Sequence, residues 1–139
     1  MSPVSVSPIT TTNDTEHEVH KLFAGYFEAV EQHDLRRFLS FFQECEQFTV
    51  FEDKEMYGWK EFVAFAEGFF QAVATITFER ANCSVDVVAP NVAIITGVFR
   101  GTGKTTSGEA VSVHNAFTFV LSKVDHGWKI RHVHESSLA

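Results

Sequence analysis

Two histidines near the C-terminal end of the sequence, His132 and His134, are separated by one residue in the stretch GWKIRHVHESS (127–137). Because side chains alternate along a β-strand, this spacing places both imidazoles on one face of a strand. Such a pair suits metal binding, acid–base chemistry or packing at an interface. A metal ion needs a third ligand, and strand alternation puts the nearest candidate, His114, on the opposite face. We therefore predict no metal and no cofactor, and we interpret both histidines as core or interface residues.

A second stretch, GTGKTT (101–106), resembles the end of a phosphate-binding loop. The complete motif has a glycine five residues before the glycine of its Gly-Lys pair, and this sequence has Val98 there. The motif must also open a helix whose N-terminus holds the phosphate, whereas a strand follows here. We interpret the stretch as a solvated hairpin turn.

The composition is that of a single acidic domain with a large apolar interior. Of the 139 residues, 45% are hydrophobic and fifteen are phenylalanine, which predicts a big core, a cavity lined with rings or an apolar face for a partner. The net charge is −7 and no basic stripe is present, so we expect neither nucleic acid nor an anionic membrane as a partner. No apolar run approaches the roughly 18 residues that a spanning helix needs.

The first fourteen residues, MSPVSVSPITTTND, are rich in serine, threonine and proline. We predict a tail over residues 1–14, flexible or extended along the domain or a second subunit, and a domain over 15–139. The tail lacks the basic start and the apolar run of a signal peptide. Cys45 and Cys83 form no Cys-x-x-Cys motif and are interpreted as reduced thiols. Both features indicate a cytoplasmic protein.

Hydrophobic periodicity predicts helices in the first half of the chain and strands in the second half. Thr15 and Glu18 have the spacing of a capping box at the start of the first helix. Beyond Ala74 the apolar period changes to two, as in strands. The predicted elements are helices from about Thr15 to Gln32, after Asp34 and from near Gly58, and strands at 47–52, 74–80, 83–89, 92–102, 110–123 and from Trp128.

The last strands are long enough that they must bend, and we expect the bends or bulges at Gly97, Gly101 and Gly103. Three N-terminal helices packed in a strongly curved antiparallel sheet make an α+β domain. The sheet would wrap around the helices as a cone and leave a pocket between helix and sheet at the open end.

The order of elements and three local stretches resemble a known superfamily. The stretches are FTVFEDKEMYGWKEFVAF (48–65), ITGVFRGTGKTTSG (95–108) and GWKIRHVHESS (127–137). They resemble the SnoaL-like branch of the nuclear transport factor 2-like superfamily, and within it the association domain of calcium/calmodulin-dependent protein kinase II and its stand-alone bacterial relatives. The resemblance covers about residues 15–137 and implies a cone-shaped fold that forms homodimers or larger rings. Because the superfamily includes enzymes, ligand binders and assembly modules, the fold leaves the function open.

For the kinase association domains the resemblance also implies an arginine-lined pocket that binds small carboxylates. By position, the pocket arginines fall on Arg100, Thr118 and Glu135, and a pocket histidine falls near Phe62, so one of the four is retained. Arg100 is then the expected anchor for a carboxylate. A salt bridge to Glu135 is its alternative role.

If Thr118 and Glu135 occupy pocket positions, strand alternation adds His114 and Arg131 to the pocket face. Glu135 and His114 would then be acid–base candidates, with rim solvation and strand packing as their alternative roles. A tyrosine before the third helix would close the pocket mouth, and one on the first helix would point in, although its apolar stripe favours core packing. The predicted ligand-binding residues are Arg100, His114, Thr118, Arg131, Glu135, Tyr57 and Tyr26.

The opposite face of the last two strands is aromatic. Composition alone assigns this face to the core, whereas the pocket assignment turns it outward, where a second subunit has to cover it. We predict the outward placement, with a homodimer interface made by Phe117, Phe119, Ile130, His132 and His134.

Two classes of function fit these expectations. The first, which we favour, is a small-molecule binding or assembly domain of a dimeric protein, with a small organic acid as ligand and no turnover. The second is a cofactor-free isomerase, dehydratase or hydrolase that acts on a small organic acid or a polyketide-like ring in the same pocket. An acidic group beside arginines would stay ionised and paired, which favours binding.

Overall fold

The fold combines helices with a mixed β-sheet. The computed structural model of the chain describes residues 7–79, 82–125 and 127–138. None of the helices in these ranges combines the length and the hydropathy of a membrane-spanning segment. The helices are α1 (Ser7–Glu31), α2 (Leu35–Ser40) and α3 (Trp59–Ala72), and the strands are β1 (Thr49–Glu52), β2 (Glu55–Tyr57), β3 (Val73–Glu79), β4 (Cys83–Ala89), β5 (Val92–Thr105), β6 (Ala110–Val124) and β7 (Gly127–Ser137).

Helix α1 begins earlier than the sequence predicts. It starts at Ser7, well before Thr15, and Thr15 is a buried position inside the helix and not its N-cap. Pro8 lies in the first turn, where its missing N–H costs no intrahelical hydrogen bond. The predicted tail therefore overlaps this helix from residue 7 onwards, and residues 1–6 lie outside the described part of the chain.

The connection between α1 and α2 turns sharply at His33 and Asp34. His33 has a positive φ of 61°, and its Nε2 lies 2.6 Å from the carbonyl oxygen of Phe70, which ties the turn to α3. Asp34 caps α2, as predicted, because its Oδ1 accepts a hydrogen bond of 3.0 Å from the backbone N–H of Arg37. This cap fixes the start of α2, which buries Phe38.

The sheet is mixed, whereas the sequence analysis predicts an antiparallel one. Its strand order is β2-β1-β7-β6-β5-β3, and β4 also pairs with β5. Among the described strands, β1 runs parallel to β7, with Glu52 opposite Glu135. The hairpin of β1 and β2 lies between α2 and α3 in the chain, so the helices are not contiguous at the N-terminus, and only α1 and α3 are long.

A bulge in β7 decides which of its side chains face the helices. Leu121 pairs with Ile130, but Val120 pairs with His132, so Arg131 is an extra residue in β7. One extra residue reverses the alternation of faces along the rest of the strand. The sequence analysis assumed an uninterrupted alternation and therefore placed residues from both sides of the bulge on one face.

The core lies between the helices and the inner face of the sheet. Phe117, Phe119 and Ile130 are only 4%, 0% and 0% exposed, so their predicted outward placement at a dimer interface is wrong. Composition alone assigns them correctly, because a sheet face this apolar is stable when it is buried under helices. Beyond the bulge the inner face continues with Val133 and Glu135.

Two of the glycines expected to bend β5 lie where neighbouring backbone leaves no room for a side chain. A Cβ on Gly103 would run into the carbonyl oxygen of Thr75, and a Cβ on Gly97 would run into that of Asn82. Glycine at these positions therefore allows β3 and β4 to pack closely onto the two halves of β5.

The GTGKTT stretch, which the sequence analysis interprets as a hairpin turn, lies mostly in strand β5, and only its last residue, Thr106, is in the turn. It forms the end of β5 and the beginning of the turn into β6, and the two strands pair antiparallel as far as Lys104 and Ala110. Gly108 in this turn has a φ of 90°, a value that glycine adopts without strain. No helix begins here to hold a phosphate.

Candidate functional site

A cavity of about 160 Å³ lies between the helices and the inner face of the sheet. Most of its wall is aromatic or aliphatic, and four polar side chains interrupt it. None of its lining residues, all within the described part of the chain, is a lysine or an arginine. The aromatic wall includes Phe42, Phe62, Phe70, Phe78 and Phe99, and the polar residues are Tyr26, Glu52, Asn115 and Glu135.

Glu135 and Asn115 reach the cavity from adjacent strands. Glu135 lies on β7 beyond the bulge, and Asn115 lies on the inner face of β6, two residues before Phe117. The Nδ2 of Asn115 donates a hydrogen bond of 2.9 Å to Oε1 of Glu135. Within the described residues, the second carboxyl oxygen of Glu135 has no hydrogen-bond partner. That oxygen is therefore available to a ligand.

The pKa of Glu135 lies near neutral pH. Burial is the largest cause that raises this pKa from its usual value of 4.5 to about 7. The nearby carboxyl of Glu52 raises it further, the hydrogen bond from Asn115 lowers it, and Asp53 makes a smaller contribution that raises it. A carboxyl with such a pKa takes up and releases protons at physiological pH, as a general acid or base must.

Glu52 is the second carboxyl of the cavity. It lies directly opposite Glu135 in the register of the parallel strands β1 and β7, and both residues line the cavity. Burial raises the pKa of Glu52, and Asp53 and Glu55 raise it further. Two carboxyls this close disfavour the state in which both are ionised.

Tyr26 brings a hydroxyl to the cavity from α1. Its ring centroid lies 5.1 Å from that of Phe27 and 5.2 Å from that of Phe38, which fixes the side chain. Burial, followed by the charges of Glu135 and Glu52, raises the pKa of Tyr26 well above its usual value of 10.0, so the hydroxyl stays protonated. Because this hydroxyl has no hydrogen-bond partner among the described residues, its O–H can donate to a ligand.

Two of the seven predicted ligand-binding residues, Tyr26 and Glu135, line this cavity. Arg100, the expected anchor, is exposed on the outer face of β5, because it alternates with the buried Phe99. The expected contact between Arg100 and Glu135 is therefore not made.

Three further predicted residues also lie outside the cavity wall. His114 and Thr118 are on the outer face of β6, because they alternate with inward residues such as Phe117. Arg131 is the extra residue of the bulge in β7. The transfer of pocket positions by resemblance failed here because it assumed that Thr118 points inward.

Tyr57 supports the cavity wall from β2. Its ring stacks on Phe65, which lines the cavity, with 5.7 Å between the ring centroids. Its hydroxyl donates a hydrogen bond of 2.9 Å to Oε2 of Glu55, and this bond is the largest cause that raises the pKa of Tyr57.

His132 and His134 lie on the outer face of the sheet, beside β1. Nδ1 of His132 is 2.7 Å from Oγ1 of Thr49, and His134 stacks on Phe51 with 5.3 Å between the ring centroids. Within the described residues no group of three or more His, Cys, Asp or Glu side chains could hold a metal ion.

Two cavity residues, Glu52 and Asn115, were missed by the sequence analysis. Asn115 carried a usable signal, since an amide between Val113 and Phe117 on an apolar strand face must find a hydrogen-bond partner there. Glu52 carried none, because its position depends on the parallel pairing of β1 with β7, which joins residues distant in the chain.

A family model described as a SnoaL-like domain matches residues 19–139. This chain belongs to the SnoaL-like family. Its structural neighbours include proteins of the nuclear transport factor 2-like superfamily, as the sequence analysis predicted. No protein of curated function matches the chain.

Solved structures with the same fold carry names that indicate different functions. A provisionally named scytalone dehydratase from Novosphingobium aromaticivorans matches with a TM-score of 0.84 and 13% identity, over 94% of this chain and 89% of its own. A hexachlorocyclohexane dehydrochlorinase, LinA type 2, matches with a TM-score of 0.79 and 12% identity, over 94% of this chain and 89% of its own. A provisionally named calcium/calmodulin-dependent protein kinase II association domain from Xanthomonas campestris matches with a TM-score of 0.72 and 20% identity, over 87% of this chain and 86% of its own. At these identities the likeness shows the fold alone.

Proposed function

We propose that this SnoaL-like protein is a small-molecule enzyme in which Glu135 takes a proton from, or gives a proton to, a compact ligand in the cavity. The observation that carries the proposal is the buried carboxyl of Glu135 in the cavity wall. Burial and the neighbouring Glu52 raise the pKa of this carboxyl to about 7. A carboxyl tuned to this range inside an apolar cavity is typical of general acid–base catalysis. Two structural neighbours named for eliminations, a dehydratase and a dehydrochlorinase, support the proposal.

The proposed step transfers a proton between a ligand carbon and Glu135. As the C–H bond breaks, the free oxygen of ionised Glu135 accepts the proton and the electron pair moves onto an adjacent carbonyl oxygen. The hydroxyl of Tyr26 donates a hydrogen bond to that oxygen and stabilises its charge. If the proton returns to another carbon, the reaction is an isomerisation. If a group on the next carbon leaves with the electron pair, it is an elimination.

The charge of the cavity disfavours the small organic acid that the sequence analysis expects. Glu52 and Glu135 both line the wall, the described lining residues include no lysine or arginine, and Arg100 is on the other face of the sheet. A carboxylate ligand would be repelled at this short range. We therefore propose a ligand without negative charge.

Deuterium exchange tests this function without knowledge of the natural substrate. Small cyclic ketones such as cyclohexanone are incubated with the protein in D2O at pH 8, and proton NMR follows the loss of the α-hydrogen signals. Glu135→Gln should slow the exchange roughly 100-fold or more. The matched control, Asp86→Asn, removes an exposed carboxyl on β4 and should keep the parent rate. Equal exchange by Glu135→Gln and the parent would refute the role of Glu135, and binding without exchange would leave ligand binding as the function.

We also propose that two copies of the chain associate through the outer face of the sheet. Phe51 and Val98 are 42% and 39% exposed on this face, and Phe51 is part of the stack with His134. Apolar side chains exposed on a sheet face are typical of an interface between subunits.

A further inference from the structure

The cavity concentrates negative charge at one place in its wall. Glu52 and Glu135 are paired across β1 and β7, and adjacent strands lie about 4.8 Å apart, so their side chains are neighbours on the inner face. Asp53 and Glu55 lie close enough to act on these carboxyls, and the remaining titratable group of the wall is the hydroxyl of Tyr26.

No positive side chain balances this charge within the described cavity wall. The ion pair of Arg37 with Glu28 lies outside the lining. Two carboxyls that must share one environment without a cation are stabilised by any ligand that brings a positive charge. Among the described residues the hydroxyl of Tyr26 has no hydrogen-bond partner either, and its oxygen can also accept a hydrogen bond.

The rest of the wall suits a cation as well. Aromatic rings carry negative charge on their faces, and they attract ammonium groups within about 6 Å of the ring centroid. The wall is built largely of such rings, including Tyr26, Phe42, Phe62, Phe70 and Phe99.

We propose that the cavity binds a small ring-bearing primary or secondary amine in its ammonium form, with Glu52 and Glu135 accepting the N–H hydrogen bonds. The proposal depends on the cavity that the proposed function uses but not on turnover. The volume sets the size of the ligand: a cavity of about 150 Å³ holds a benzene ring, and this cavity measures about 160 Å³. One six-membered ring therefore fills the aromatic part, while the ammonium group lies at the carboxyls.

Three ligands that differ only in charge test the proposal. Benzylamine is a cation, benzyl alcohol is neutral and benzoate is an anion, and isothermal titration calorimetry at pH 8 measures the Kd of each. Benzylamine should bind at least tenfold more tightly than benzyl alcohol, since hydrogen bonds to charged groups are the stronger ones. Benzoate should not bind. Equal affinity for the amine and the alcohol, or binding of benzoate, would overturn the proposal.

Variants locate the binding and exclude surface ion pairing. Glu52→Gln should weaken benzylamine roughly tenfold and leave benzyl alcohol unchanged, whereas the control Asp86→Asn should change neither. A loss of benzylamine affinity in Asp86→Asn as large as in Glu52→Gln would overturn the assignment to the cavity.

A pH series on the parent protein keeps the proposal testable if Glu52→Gln does not fold. Benzylamine should bind more tightly at pH 8 than at pH 5.5, because Glu135, whose pKa is about 7, loses its proton between these values. The affinity for benzyl alcohol should not change. A benzylamine affinity that is flat across this range contradicts the proposal. Because only binding is measured, failure here would leave the deuterium exchange catalysed by Glu135 unaffected.

Discussion

The Nδ2 of Asn115 donates a hydrogen bond of 2.9 Å to Oε1 of Glu135 from the neighbouring strand. This bond stabilises the ionised carboxylate and so lowers the pKa of Glu135, against the larger effects of burial and of Glu52. Asn115 therefore does two things for the proposed proton transfer. It holds one oxygen in place, and it keeps the pKa near neutral pH instead of above it.

Asn115→Leu should raise the pKa of Glu135 above its value of about 7, because the variant keeps a similar volume but removes the donor that favours the charged form. Carbon-13 NMR titration of glutamate side chains measures the shift. Thr118→Val, on the outer face of the same strand, is the matched control and should leave this pKa unchanged. An unchanged or lower pKa in Asn115→Leu would show that the hydrogen bond does not act on Glu135.

Glu135 should make the protein less stable as the pH rises from 4.5 to 7. Its pKa is raised from 4.5 in the unfolded chain to about 7 in the folded protein, so in this range the folded state binds a proton that the unfolded state has lost. The stabilisation is complete below pH 4.5 and is lost as the pH passes the folded pKa, a total of about 3 kcal/mol.

Glu135→Gln removes this pH dependence. Urea unfolding at pH 5 and pH 8 should show that the difference in unfolding free energy between variant and parent changes by about 2–3 kcal/mol in favour of the variant at pH 8. Asp86→Asn, at an exposed carboxyl, should track the parent at both values. A parent–variant difference that is the same at pH 5 and pH 8 would mean that Glu135 has an ordinary pKa in the folded protein.

Most of the fold was predictable because its elements are encoded locally. The change of apolar period near Ala74 locates the passage from helix α3 to strand β3, and the cap at Asp34 locates α2. The superfamily was predictable too, since the stretch 127–137 carries a recognisable pattern. Local pattern could not show the parallel pairing that brings Glu52 to Glu135, because this pairing joins strands that are far apart in the chain.

The site was predicted less well, and a single residue explains much of the error. Arg131 is the extra residue of a bulge, and no residue type in the strand marks its position. When the bulge is not recognised, strand alternation places His132 on the same face as Ile130. It then turns Phe117 outward and Thr118 inward, the reverse of the structure. The prediction that Arg100 lines the pocket was wrong for a related reason. Its neighbour Phe99 is buried, and only one of two adjacent strand residues can face the cavity.

Gly103→Ala should destabilise the protein by about 1–3 kcal/mol, the usual cost of forcing an extra group into a packed site. Its Cβ would run into the carbonyl oxygen of Thr75, and backbone on a paired strand cannot move aside as a flexible side chain can.

Gly68→Ala is the contrasting control, because nothing lies within 4 Å of its Cβ position on α3. It should stabilise the helix by about 0.5–1 kcal/mol. Urea unfolding measures both, and equal effects of the two substitutions would rule out the proposed close approach of β3 to β5.

Val98→Lys should convert the proposed dimer to a monomer. Val98 is 39% exposed on the outer face of β5, next to Ala116 on β6, so a lysine there would bring a charge into an interface made by two sheet faces. Light scattering should give twice the chain mass of 15.6 kDa for the parent and the single mass for the variant.

Ala64→Lys places the same charge at an exposed position of α3 and should leave the dimer intact. Circular dichroism checks that both variants are folded. We expect both to fold, because the outer face contributes little to the core. A parent protein that scatters as a monomer at micromolar concentration, or a Val98→Lys variant that remains a dimer, would exclude this face as the interface.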